Sequence, residues 1–263
     1  MTRELDERGS VRTITSNLFI TAGGLSGTSL KARKLLYIAI AQCRKGDKQF
    51  YEYEISVQEF ASLMDIDPSN LYQEADKITD ELMRGYITVS DGTGDFERYS
   101  LFSKCEYRAG SVLKFRLNND MTDFLLALKG NFTQPLLSDF LHMNSPYSMA
   151  IWHLMQREMK SQKPGLTDEI EFDLSLCELR EVTGTENKLK QLCEFKRRVL
   201  DKALREISDN CGVKITYENI KTGRSVTGFH FRAISPYHVD ISTLPPEVLE
   251  KAEQIKHRVS GNR

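Results

Sequence analysis

The amino-acid sequence predicts an α+β protein made of two tandem modules of one design, and three observations carry that expectation. The first is order: each half of the 263-residue chain reads helix, helix, turn, helix and then β-hairpin. The second is spacing: Val57, Phe60 and Leu63 superpose on Leu176, Leu179 and Val182 at a common offset of 119 residues, as an internal duplication would leave them. The third is punctuation. DPSN, Gly85, RAG, Gly184 and KTGR interrupt the periodic stretches where such modules turn.

In the first module, SLKARKLLYIAIAQC (29–43) carries Leu30, Leu35, Tyr37, Ile38 and Ala41 at helical intervals. The short alternating piece FYEYEIS follows, then VQEFASLMDI, whose Val57, Phe60, Leu63 and Met64 share one face. NLYQEADKITDELMRGY is a further helix with Leu71, Ala75, Ile78 and Leu82 in one stripe, capped by Asn70 or Ser69 and ended by Gly85. Three strands, ITVSD, YSLFSKCEY and SVLKFRLN, complete the module. A helix-turn-helix followed by a hairpin is the order of a winged helix.

The second module repeats that order. SPYSMAIWHLMQREM (145–159) is helical, KPGLTD breaks it, and IEFDLSLCELREVTG gives a strand and a helix closed by Gly184. NKLKQLCEFKRRVLDKALREI reads as one long helix, and VKITYENI and SVTGFHFRAI pair around KTGR. The expected divisions are a polar arm (1–14), a first winged-helix domain (15–130), a second (131–236) and a tail with a short amphipathic helix (237–263). No Gly/Ser-rich spacer separates the modules, so the two domains are expected to pack together.

Composition excludes several classes. With 40% hydrophobic and 28% charged residues the chain is globular, and its longest apolar run, LLYIAIA at 35–41, is far short of a membrane span. The charged start, MTRELDERGS, does not look like an export signal, and five unclustered cysteines do not make a disulfide framework or zinc ribbon. A reducing cytoplasm fits best. No GxxxxGK[ST] loop is present, and AGGLSGTS at 22–29 follows no convincing strand, so a flexible turn is the better reading than a phosphate cradle. His142, His153, His230, His238 and His257 show no metal-ligand spacing, so no metal or cofactor is expected. Trp152 lies on the apolar side of its helix and reads as core.

What remains is a local concentration of positive charge. The chain's formal net charge is -1, yet residues 188–232 hold eleven Lys or Arg against five Asp or Glu. Within FKRRVLDKALREI (195–207), Phe195, Val199, Leu200, Ala203, Leu204 and Ile207 fill one arc of about 180° at 100° per residue. Arg197, Arg198, Lys202 and Arg205 fill the opposing arc with only Asp201 among them, while Lys196 falls inside the apolar arc and would have to snorkel. Most charged helix faces are merely solvated. This one is the last helix before a hairpin, where a winged helix places the element that enters the DNA major groove. Lys188 and Lys190 belong to the start of the same long helix, and Lys221 and Arg224 flank Gly223 at the hairpin tip, within reach of phosphates. The equivalent first-module helix has Lys77 and Arg84 against Glu74, Asp76, Asp80 and Glu81. If that module touches DNA it must do so less electrostatically, or by other segments such as LKARK; dimerisation is an equal use for it.

These pieces together resemble the plasmid replication initiators of the iteron-binding Rep family. The likeness is carried by NSPYSMAIWHLM, CELREVTG, CEFKRRVLDKALREI and VKITYENIKTGRSVTGFHFRAI, and in the first half by LKARKLLYIAI and ISVQEFASLMDI, covering most of residues 15–236. The resemblance implies tandem winged-helix domains that bind directly repeated double-stranded DNA at an origin. It also implies dimers that repress their own promoter at an inverted repeat, monomers that initiate, and host partners in the replication initiator and the replicative helicase. By the same analogy Lys196, Arg197 and Arg198 match the second-domain recognition helix, and Lys221 and Arg224 its wing. Two alternatives stay open: a tandem winged-helix repressor with no replication role, and a rolling-circle initiator that nicks DNA with a tyrosine. The latter is disfavoured because no His-hydrophobe-His motif accompanies any tyrosine.

Overall fold

The computed structural model describes residues 15–16, 25, 28–43, 47–90, 94–109, 112–126, 132–133, 136–161 and 169–234. The expected arm at 1–14, the tail at 237–263, the KPGLTD break and most of AGGLSGTS lie outside them. In chain order the first unit contains β1 (Thr15–Ser16), α1 (Leu30–Gln42), β2 (Tyr53–Ser56), α2 (Val57–Met64), α3 (Leu71–Arg84), β3 (Tyr86–Ser90), β4 (Phe96–Ser100), β5 (Phe102–Tyr107) and β6 (Val112–Leu117). A middle segment follows, with α4 (Thr122–Leu125), β7 (Phe132–Thr133) and α5 (Leu137–Leu141). Then come α6 (Pro146–Ser161), β8 (Glu169–Ser175), α7 (Leu176–Thr183), α8 (Leu192–Phe195), α9 (Asp201–Cys211), β9 (Lys214–Thr222) and β10 (Ser225–Ile234).

The two units share one antiparallel topology. Strands run β2-β6-β5 in the first and β8-β10-β9 in the second, so the strand that leads into the helix-turn-helix pairs with the last strand of the hairpin. The 119-residue offset read from apolar spacing extends to the backbone. Ser56 and Ser175 each accept an N–H three residues on, from Glu59 and Glu178 at 3.0 Å, which satisfies one of the donors a helix start leaves open. Phe60 and Leu179 are fully buried. Both helices end in a left-handed residue, Asp65 (φ 51°) and Gly184 (φ 62°).

Three elements differ from expectation. YSLFSKCEY is two strands, β4 and β5, broken at Leu101, whose N–H bonds Gly85 and whose carbonyl accepts from Asn118. Its side chain is wholly buried, so alternation alone conceals the bend, and β3-β4 forms a separate two-stranded sheet. Asn70 makes no side-chain cap to α3; instead Asp67 accepts from the backbone and hydroxyl of Ser69, closing the turn one residue earlier. Finally, the long helix begins at Leu192, not near Asn187, and continues to Cys211.

The units meet on a shared apolar core. The Tyr37 ring of α1 stacks on Phe140 of α5 at 4.0 Å, and its hydroxyl shares a 2.8 Å hydrogen bond with His153 Nδ1 of α6. Burial drives the His153 pKa down to about 3, so the imidazole is neutral. Arg33 donates to the Pro146 carbonyl at 3.0 Å and to Thr28 at 3.1 Å. Trp152 is buried as expected, its indole N–H donating to Asp139 at 3.1 Å.

Candidate nucleic-acid interface

The helix over 192–211 is not uniform. Between α8 and α9, Lys196–Leu200 forms a π-helical turn in which the Asp201 N–H reaches back to the Lys196 carbonyl. One residue is thereby inserted into the helical register, a distortion that recurs at functional sites. The apolar seam survives it: Phe195, Val199, Leu200, Ala203, Leu204 and Ile207 are all buried. At roughly 1.5–3 kcal/mol for each large side chain removed from water, that face is fixed to the core and the opposite face must look outward.

Arg197, Arg198, Lys202 and Arg205 are exposed on that outward face, as the sequence predicts. The Arg197 and Arg198 side chains are 68% and 60% exposed, and both reach back to one carboxylate: Arg197 Nη2 to Glu194 Oε1 at 2.6 Å, Arg198 Nε to Glu194 Oε2 at 2.7 Å. Exposed pairs of this kind are worth only about 0–1 kcal/mol, so they orient the forks without removing them from use. Asp201, the acid among the cations, faces the hairpin, where the Tyr217 hydroxyl donates to it at 2.6 Å. Burial and that bond raise the Tyr217 pKa, keeping the phenol protonated and the helix joined to β9.

Lys196 departs from its neighbours. It lies across the hairpin, its ammonium 4.9 Å from the Tyr217 ring centroid and 3.3 Å from Asn219 Oδ1. The apolar position that the wheel assigns it is thus real, and it snorkels over an aromatic face. Lys188 and Lys190 are exposed in the turn before the helix instead of on it. Arg180 of α7 holds that turn, donating to the carbonyls of Thr185 (2.9 Å), Lys188 (3.0 Å), Leu189 (3.0 Å) and Lys190 (3.4 Å) while its guanidinium sits 4.7 Å from the Phe195 ring centroid. With its carbonyls drawn inward to Arg180, the segment stays non-helical and Leu189 takes a φ of 49°. At the hairpin tip Thr222 pairs with Ser225 around Gly223, whose φ of 63° suits glycine, and Lys221 and Arg224 are exposed on either side.

Models of the Initiator Replication protein family match this chain, its WH1 model over residues 13–156 and its WH2 model over 175–233. The chain belongs to this family of replication initiators. A crystal structure of the Pi initiator protein in complex with iteron DNA superposes on this initiator with a TM-score of 0.70, at 20% sequence identity over 86% of this chain and 98% of the other. Domains 2 and 3 of RctB give a weaker likeness, TM-score 0.40 at 12% identity over 89% and 92%. Two tandem winged helices are therefore the fold.

The first unit of the initiator spends its charges differently. In LKARK, Arg33 and Lys34 are 4% and 9% exposed, and burial lowers the pKa of both. Lys31 pairs with Glu74 at 2.6 Å. Arg33 and Lys34 are consequently not available to a duplex, which corrects the expectation for those two cations of the segment. Sequence reasoning missed Glu194, Arg180 and Tyr217, since only the folded chain shows which partner each has. No helix among the described residues is long and apolar enough to cross a membrane, and no group of three or more His, Cys, Asp or Glu among them is placed to hold a metal ion.

Proposed function

We propose that this initiator acts by binding directly repeated duplex sites at a plasmid origin through its second winged helix. The observation that carries the reading is the division of the 192–211 helix into a buried seam and an outward cationic face, joined to a hairpin with two cations at its tip. Arg197 and Arg198 read base edges, since an arginine fork matches guanine O6 and N7. Lys202, Arg205, Lys188, Lys190, Lys221 and Arg224 neutralise phosphates, and Lys196 contributes from the crease between helix and wing. The binding of iteron DNA by the Pi protein supports this use of the shared fold.

In this reading the second domain (131–236) supplies most of the affinity, and the first (15–130) serves dimerisation and accessory contact. Dimers repress the initiator's own gene from an inverted repeat, and monomers at the direct repeats engage the host initiator and the replicative helicase. The action is in the bacterial cytoplasm and is non-enzymatic: the protein opens DNA by binding, with host help. Footprinting on the DNA that adjoins the gene tests this. Protection of several direct repeats is the expected pattern; a lone inverted repeat would transfer the protein to the class of simple repressors. Tyrosine-dependent nicking of supercoiled DNA with Mg²⁺ or Mn²⁺ would overturn the non-enzymatic assignment.

A further inference from the structure

Two acids border the outward face of the recognition helix, and their engagements differ. Asp201 is taken by the phenol of Tyr217 and belongs to the joint between helix and hairpin. Glu194 is taken by the two arginines themselves, one oxygen to each, with its side chain 29% exposed. Each guanidinium uses a single nitrogen in that contact, Nη2 in Arg197 and Nε in Arg198, so the remaining N–H groups of both forks stay available as donors. A carboxylate in that place does two things. It narrows the rotamers of two long side chains, and it sets a negative charge beside the cations that a phosphate backbone must approach.

From this arrangement we infer that Glu194 is a specificity-determining positioning residue, holding Arg197 and Arg198 in one bidentate bracket and penalising duplexes that offer only phosphates. The inference rests on the proposed role of this helix in DNA binding. Non-specific binding is nearly all electrostatic, so one anion beside the contact weakens it and lowers its salt dependence. A duplex with acceptors where the free N–H groups point recovers the loss through base-edge hydrogen bonds, for which the arginines are already oriented. A random duplex does not recover it. Specificity then comes from disfavouring the wrong partner as much as from favouring the right one. Because exposed ion pairs contribute about 0–1 kcal/mol to stability, this arrangement costs the fold little to keep or lose.

The test uses the full-length protein, a duplex that the wild type selects from a random-sequence library, and a shuffled duplex of equal length and composition. Glu194→Gln keeps the size and removes the charge; Glu194→Asp keeps the charge and shortens the reach. The expected result for Glu194→Gln is affinity for the shuffled duplex raised about threefold to tenfold, a steeper salt slope, and a ratio of selected to shuffled affinity reduced about fivefold or more, with an unchanged thermal midpoint. Glu194→Asp should restore the salt slope but not the full ratio. Placing Glu194→Gln in an Arg197→Ala/Arg198→Ala background should abolish its effect on the ratio. If Glu194→Gln raises both affinities by the same factor, or neither, the positioning role is overturned. The arginine double variant separates the two levels: undiminished binding by it would remove the helix from the interface altogether, whereas lost binding with an unaltered Glu194→Gln ratio would remove only the inference.

Discussion

The third helix of each winged unit stands at the same place in the same topology, and the two put their charges to opposite ends. In the first unit two acids of α3 hold the scaffold: Glu74 pairs with Lys31, and Glu81 accepts from the Ser29 N–H at the start of α1. Arg84 is matched by Asp80 one turn back at 2.9 Å. In the second unit the cations of the 192–211 helix other than Lys196 look outward, and the acids nearest them hold the arginines or the wing. A common fold thus allots one helix to holding its neighbour and its counterpart to presenting cations to solvent. The turns before these helices differ likewise. Asp67 closes the first by accepting an N–H from Ser69, whereas Arg180 closes the second by donating to four carbonyls. Ala61 occupies the position equivalent to Arg180 at the 119-residue offset, so the first unit has no such clamp.

The largest break in this comparison should come from that clamp. Arg180→Ala removes charged hydrogen bonds to four carbonyls and a cation–π contact with buried Phe195, and a half-exposed set of that kind is worth ~2–3 kcal/mol in total. Urea unfolding should show that loss, together with weaker DNA binding because Lys188 and Lys190 lose their fixed turn. The same measurement on Ala61→Gly should show only the ~1 kcal/mol that a glycine costs inside a helix. A stability loss for Arg180→Ala no larger than that would mean the turn is held by its flanking helices alone.

Next in size is the contrast between the outward faces. Arg197→Ala with Arg198→Ala should weaken binding to the selected duplex by well over tenfold, a loss of ~2 kcal/mol, while the thermal midpoint hardly moves. Lys77→Ala with Arg84→Ala, the matching change in the first unit, should weaken it less than about threefold, because those two cations share their helix with Glu74, Asp76, Asp80 and Glu81, whose charge opposes the approach of a polyanion. Titrations of both variants by fluorescence anisotropy decide the matter. Equal losses would show that the two helices share the duplex and that formal charge misleads about the first.

How much of this was legible in the sequence follows from the kind of interaction concerned. Local rules reached the helix exit at Gly184, the hairpin tip and the seam from Phe195 to Ile207, because each depends on residues a few positions apart. They did not reach the π turn, since a wheel at 100° per residue assumes the regularity that the turn breaks. Nor did they reach the true start of the long helix, which is decided by Arg180, outside the helix itself. Burial of Arg33 and Lys34 was equally hidden, because a cation in a basic run gives no sign that Arg33 will meet the carbonyl of Pro146 or that Lys34 will be taken from solvent. Tertiary partners, not periodicity, separate the cations that reach solvent from those that do not.

The smallest effect sharpens the comparison at the place where the units join. His153 is buried against Tyr37 and Phe140, and its pKa of about 3 lies below the ordinary value of 6.5. Between those values the unfolded chain binds a proton that the folded chain refuses, so stability must fall as pH falls. The contribution is fully present above about pH 6.5 and declines by ~1.4 kcal/mol per pH unit below it. Going from about pH 7 to about pH 5.5 should therefore cost the wild type ~1 kcal/mol more than it costs His153→Gln, whose amide does not titrate in that window. The exposed charges of the 192–211 helix are common to both proteins and should cancel in the difference. Urea unfolding of both proteins at the two pH values measures it, and parallel losses would mean that water already reaches the imidazole and that α1, α5 and α6 do not form a closed joint.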